Sequence, residues 1–190
     1  MLGLIEDVKR VIQPGFKKEG DVIALLGVTR DDGQVPALDL QRELAVQAAC
    51  LRAAEAGLLR SAHDCSEGGL AVALAESCFS SLNRDAIGAQ ISLESGSAGS
   101  AGILPASVLF SETPSRIIIS FDESARSEIE AIAKDTGSPI TILGTVGGDR
   151  LRIKVGEQEV VNSRAAEIEA VWRSSLKLKL QAEAMVAGAE

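Results

Sequence analysis

Apolar positions fall in short blocks separated by polar turns along this chain. "DVIALLGV", Asp21 to Val28, lies between "KKEG" and "TRDDGQ" and predicts a buried strand that ends in a turn. From Asp39, "DLQRELAVQAACLRAAEAGLL" places Leu40, Leu44, Ala48, Leu51 and Leu58 on one helical face. That spacing predicts a helix with this face inward, Asp39 as its N-cap and Gly57 disturbing only its last turn. "LRSAHD" is short enough only for a strand or a bend, and Gly68-Gly69 then opens a second helix, Leu70 to about Phe79. "GAQISL", Gly88 to Leu93, alternates as a strand does, and "ESGSAGSAG" reads as a surface loop. "RIIISF", Arg116 to Phe121, is a strand followed by a helix that Asp122 caps and Gly137 ends. "PITILGTV" is a further strand, from which "GGD" turns into "LRIKV" as a hairpin. From Ser163 the chain is helical through Ile168, Val171 and Trp172, with "LKLKLQAEAMVAGAE" as a fraying end. Strands and helices mix without βαβ alternation, which predicts an α+β fold: a mixed β-sheet with packed helices, and no internal repeat.

Composition narrows the function. The 190 residues suffice for one domain; 46% are hydrophobic and 24% charged, and no apolar run reaches membrane-span length, so no membrane partner is expected. "MLGLIEDVKR" has no signal-peptide pattern, and Cys50, Cys65 and Cys78 form neither a C-x-x-C pair nor a zinc set, so a cytoplasmic location is expected. A net charge of −8 argues against nucleic acid, and 3% aromatic residues without tyrosine argue against a base-stacking surface.

The chemistry concentrates in "SAHDCSEGGLAVALAESCF", Ser61 to Phe79. A Gly-Gly turn opening a helix aims unpaired N–H groups and the positive end of the helix dipole outward, a route to phosphate binding through Ser66, Gly68 and Gly69. It matches neither G-x-x-x-x-G-K-S nor G-x-G-x-x-G. The equal alternative is that Ser66 caps the helix while Gly68 and Gly69 let it approach the sheet. His63 and Asp64, adjacent on a strand, point to opposite faces, so His63 reads as a hydrogen-bonded structural residue and not a general base. Cys65 reads as a small buried thiol, with a cysteine-dependent enzyme as a third, weaker possibility. In "LFSETPSR", Glu112, Ser115 and Arg116 crowd a turn before a strand; this is either a ligand-binding edge or a Thr-Pro turn with a solvated ion pair.

Together, "AHDCSEGGLAVALAES" and "LFSETPSR", preceded by "GLIEDV…GFKKEGDVIALLG", resemble the last domain of the phosphoribosylformylglycinamidine synthase family, from Gly3 to roughly Trp172. The resemblance implies the fold of the C-terminal domain of aminoimidazole ribonucleotide synthetase-type enzymes. It also implies an ATP-dependent conversion of formylglycinamide ribonucleotide and ammonia to the formylglycinamidine. ATP, magnesium and the catalytic histidine are then held by preceding ATP-binding domains, and "GLIEDV" is the last strand of one of them. Residues 1–20 become the end of that domain and its connector, 21–175 the C-terminal synthetase domain, and 176–190 a helical or frayed tail. The ligand-lining residues implied are Asp64, Ser66, Gly68, Gly69, Glu112, Ser115 and Arg116. None is catalytic, and Asp64 is a metal residue only by analogy with the other half of the synthase. Thr113, Pro114 and Ser115 depart from the turn of the productive half, which fits a degenerate half. Partners implied are a separate glutaminase subunit and a small accessory subunit. The alternative is a free-standing phosphate- or nucleotide-binding regulatory module of the same fold.

Overall fold

The computed structural model describes residues 4, 5, 7, 8, 11–29, 37–80, 84–94 and 105–187, with side chains as far as residue 181. The order of elements is β1 (Val22–Leu26), α1 (Leu40–Glu55), β2 (Leu59–Asp64), α2 (Gly69–Phe79), β3 (Ala89–Leu93), α3 (Pro105–Phe110), β4 (Ile117–Phe121), α4 (Arg126–Thr136), β5 (Ile140–Val146), β6 (Arg150–Val155), β7 (Gln158–Arg164) and α5 (Ala165–Ala187).

One seven-stranded sheet runs β2-β4-β1-β5-β3-β6-β7. All its pairs are antiparallel except β3 with β6. Alternation along β1 explains why that segment is uniformly apolar. Ile23 and Leu25 enter the core beneath α2 and α5, whereas Val22, Ala24 and Leu26 enter the core beneath α1 and α4. A strand buried on both faces has no polar side to show. The result is three layers, and the α+β mixed sheet read from the sequence is the fold observed.

The caps follow local chemistry. Asp39 accepts from the Gln41 and Arg42 amides at 3.1 Å and so caps α1. Asp122 caps a short 3₁₀ turn, Glu123–Ala125, that leads into α4, and Gly137 ends α4 in the left-handed conformation at φ 74°.

Three expectations are corrected. First, the face of α1 that points inward is Val46, Ala49 and Ala53, while Leu40, Leu44 and Leu51 are 65%, 60% and 59% exposed. Both sets satisfy the helical period; small residues let α1 lie close to the sheet and α4, and the leucines are left outside. Second, β5 and β6 do not form a hairpin, because β3 lies between them. Ala89 pairs with Val146 on one side and with Leu151 on the other. The "VGGD" turn instead receives Gly88, whose amide donates to Gly148 O at 2.7 Å and whose carbonyl accepts from Gly147 at 2.8 Å. A side chain at Gly88 would meet the Arg150 main chain at 2.3 Å, so glycine admits β3 into that gap. Third, the hairpin is β6–β7, turning at Gly156 and Glu157, and the last helix begins at Ala165 and not at Ser163. β7 is an edge strand of mixed polarity, and a propensity reading passes over it. Helix α3 was likewise not expected from its pattern.

The chain before β1 joins this fold. Phe16 is 1% exposed in the α2-side core, its amide donates to Ser77 O at 2.7 Å, and Gln13 bridges to Ser61 of β2. Residues 4, 5, 7 and 8 carry no strand, and Leu4, Ile5 and Val8 are exposed. Most of the "ESGSAGSAG" loop lies outside the described residues.

Candidate functional site

The end of β2, the start of α2 and the turn between α3 and β4 meet at one edge of the molecule. They border a cleft of about 670 Å³ whose lining includes Asp64, Ser66, Glu112, Ser115 and Arg116. Five of the residues expected from sequence are therefore brought together by folding, although 48 positions separate Asp64 from Glu112 by their numbers.

The glycine turn is shaped for close approach. Gly68 is the N-cap of α2 in the left-handed region at φ 78°, and Gly69 follows at φ 68°. A Cβ on Gly69 would lie 2.5 Å from Ser111 O, 2.9 Å from Phe110 C and 3.0 Å from Leu109 O. The close neighbour is thus the main chain at the end of α3, not the sheet.

No flanking side chain caps α2. The Ser66 hydroxyl donates to Asp64 Oδ2, which corrects the expectation that Ser66 caps the helix. In its place, the Gly68 amide donates to Glu112 Oε1 at 2.9 Å, across 44 residues. A carboxylate at a helix N-terminus is favoured both by the hydrogen bond and by the helix dipole.

Arg116 is 2% exposed and, among the described residues, makes no solvated ion pair, a second correction. Its guanidinium gathers the loop. Nε donates to Thr113 O at 2.8 Å, Nη2 to Ser111 O at 2.5 Å and Nη1 to Thr29 Oγ1 at 3.0 Å. Burial pulls its pKa down, partly opposed by the neighbouring Cys65. Ser115 adopts φ 62°, unusual for a residue with a side chain, and its hydroxyl donates to Glu43 Oε2 at 2.5 Å. Gly27 lies beneath it, where a Cβ would meet Ser115 O at 2.1 Å.

His63 sits between acceptors. Nδ1 lies 2.8 Å from the Asp64 carbonyl and Nε2 lies 3.1 Å from Glu76 Oε2, while Trp172 Nε1 donates to the other Glu76 oxygen at 3.0 Å. Its partners tie β2 to α2 and, through Glu76, to α5, which is a structural role. The Cys65 thiol is pushed up to about 12 by burial, so it is not a nucleophile at neutral pH.

Glu43 and Glu67 also line the cleft, and the sequence reading missed both. Nothing local marks Glu43; it sits one turn along an ordinary helix and reaches the site only because α1 crosses the Ser115 turn.

A single mixed sheet lies between two helical layers, with a glycine turn facing a cleft. Residues 19–156 match the family described as AIR synthase related protein, C-terminal domain, and the chain belongs to that family. It is similar to phosphoribosylformylglycinamidine synthase subunit PurL of Anaeromyxobacter sp. (strain K), with 39% identity covering 100% of this chain and 26% of that protein. Its identity to the same subunit of Moorella thermoacetica is 35%, over 93% of this chain and 25% of the relative. The chain thus spans about a quarter of the length of these curated relatives. Among solved structures, T. maritima PurL complexed with ATP matches with a TM-score of 0.74 and 21% identity, over 85% of this chain and 27% of that one. E. coli HypE, a hydrogenase maturation protein, matches with a TM-score of 0.57 and 12% identity, over 80% and 51%. These two likenesses show the shared fold.

The nucleotide phosphates that the family implies do not fit the described residues of this cleft. The exposed Gly68 donor is taken by Glu112, Arg116 is buried on the Ser111 and Thr113 carbonyls and the Thr29 hydroxyl, and Glu43, Asp64, Glu67 and Glu112 place carboxylates around the space. Among the described residues no group of three or more His, Cys, Asp or Glu side chains is placed to hold a metal ion.

Proposed function

We propose that this chain serves as a C-terminal-type domain of the ligase that converts formylglycinamide ribonucleotide to the formylglycinamidine in purine biosynthesis, lining a ligand cleft without performing the chemistry. The observation that carries this reading is the match along the whole chain to a quarter-length stretch of the synthase subunit. The cleft supports the non-catalytic part, since its donors serve the chain's own acceptors. ATP and magnesium are then supplied by preceding ATP-binding domains of the same polypeptide, and ammonia by a separate glutaminase subunit with a small accessory subunit. Solved relatives described as PurL with ATP and PurL with ADP support the nucleotide, and one described as a PurLQS structure supports partner subunits. Asp64, Ser66, Gly68, Gly69, Glu112, Ser115 and Arg116 form the wall that faces the rest of the synthase. The location is cytoplasmic; no helix among the described residues is long and apolar enough to cross a membrane.

The purified chain, given formylglycinamide ribonucleotide, magnesium-ATP and ammonium, is expected to form no formylglycinamidine product. Measurable turnover overturns the non-catalytic reading. A free-standing module of the same fold is the second reading, favoured by a sheet whose two faces are both covered within this chain. The mass of the native polypeptide separates the two: a band far above 19.8 kDa means a synthase domain, and a band at 19.8 kDa means the module.

A further inference from the structure

A helix start of this kind ordinarily offers free N–H groups to an external anion. Here we infer that Glu112 is a built-in anion: it occupies the N-terminus of α2, fixes the turn that carries it, and keeps phosphate groups out of this end of the domain. The inference deepens the non-catalytic reading above, while its geometry stands on this chain alone.

Three observations point the same way. Helix α2 has no acid in its first turn and no side-chain cap from its own N-cap residue; the Gly69 amide donates to the Ser66 carbonyl at 3.2 Å, and the Ser66 hydroxyl is directed to Asp64. Its Gly68 amide is instead served by a carboxylate 44 residues away, on a turn whose shape is fixed independently of that contact. Arg116 binds that turn at the Ser111 and Thr113 carbonyls, Glu43 holds the Ser115 hydroxyl, and Gly69 is pressed against the main chain of residues 109–111. The carboxylate is therefore presented with little freedom left to lose, so an incoming phosphate competes with a pre-organised internal ligand. The surroundings oppose the phosphate further. Asp64, Glu67 and Glu43 line the same cleft, and Arg116, the one cation among the described lining residues, is buried with Nε, Nη1 and Nη2 each donating within the chain. Several like charges around one space disfavour a second anion there.

Glu112 is thus a positioning residue, and its deletion should leave a gap that a small anion can fill. The test uses the full chain and Glu112→Ala, melted in chloride and with formate or inorganic phosphate replacing chloride at constant ionic strength. With the anions at low millimolar concentration, where phosphate does not stabilise folded proteins in general, wild type should melt at one temperature in all three. Glu112→Ala should melt lower in chloride by about 2–4 °C, the scale of one lost cap in a chain of this size, and recover on adding formate or phosphate. Three results overturn the inference: a wild type stabilised by phosphate, a variant that melts like wild type in chloride, or a lowered melt that no anion restores. Should the variant fail to fold, hydrogen exchange of the wild-type Gly68 amide decides. Slow exchange unaffected by phosphate supports the built-in anion, and fast or phosphate-sensitive exchange overturns it. Neither measurement uses synthase activity, so its outcome is separate from that of the turnover assay.

Discussion

Gly69 and Gly57 share a left-handed backbone but not an environment, and the pair separates conformational strain from crowding. Gly57, at φ 73°, has nothing within 4 Å of an added Cβ, whereas Gly69 has main-chain atoms at 2.5–3.0 Å. Gly57→Ala should cost about 1–2 kcal/mol, the ordinary penalty of a left-handed side chain. Gly69→Ala adds an overlap with backbone that cannot rotate away, and should cost about 3 kcal/mol or more by urea unfolding. Equal losses would mean that the α2 turn is not crowded. Titration provides a second prediction at this scale. Burial pushes the Cys65 and Cys78 thiols up to about 12 in the folded chain, against about 8.5 for an unfolded cysteine. The unfolded chain releases these protons first, so the stability they contribute is fully present below about pH 8.5 and is lost as pH rises toward 12. Each thiol should add about 1.4 kcal/mol per pH unit to that decline. Urea unfolding of wild type and Cys78→Ala between mildly and strongly alkaline pH checks it, and the variant should show the shallower fall. At the same scale, the glycine pair and Cys65 were legible because their chemistry is carried by residue type. The partner of the Gly68 amide was not, because Glu112 is a surface acid like any other until the turn after α3 brings it there.

Helix α1 shows how an element can be recognised while its orientation is misread. Asp39 and the apolar period locate the helix, yet two sets of residues, Leu40–Leu44–Leu51 and Val46–Ala49–Ala53, each mark a face. Size favours the leucines; the close contact with α4 and the sheet favours the smaller set. Leu44→Ala should therefore change stability by less than about 0.5 kcal/mol, while Ile129→Ala, on α4 beneath α1 and 1% exposed, should cost about 2–5 kcal/mol. Comparable losses would return the leucine face to the core. The strand pairs repeat the lesson. "GGD" is a genuine turn, but a turn reports only that the chain reverses. Which strand lies alongside is settled by competition for a hydrogen-bonding edge, and β3, entering past Gly88, wins it from β6.

Taken whole, the chain has two cores on the two faces of one sheet, and α5 is the element least committed to either. Its first turns are tied down by Ala165 and by Trp172, whose ring centroid lies 5.7 Å from that of Phe79. Leu176, Leu178 and Leu180 beyond them are 69%, 59% and 57% exposed. A chain ending at residue 175 should hence melt within about 2 °C of the full chain. A drop of many degrees would place the tail inside the domain. By itself the sequence determined the α+β class and the identities of β1, β4, α2 and α4, and it left β2 open between a strand and a bend. Periodicity, caps and glycines act over a few residues, and those residues carry the information in full. Strand order, the inward face of α1, the burial of Arg116 and the meeting of Glu112 with Gly68 were decided by the tertiary structure alone. Each depends on which distant segments share an edge, a buried surface or a donor, and that outcome minimises the free energy of the whole chain and not of any one stretch.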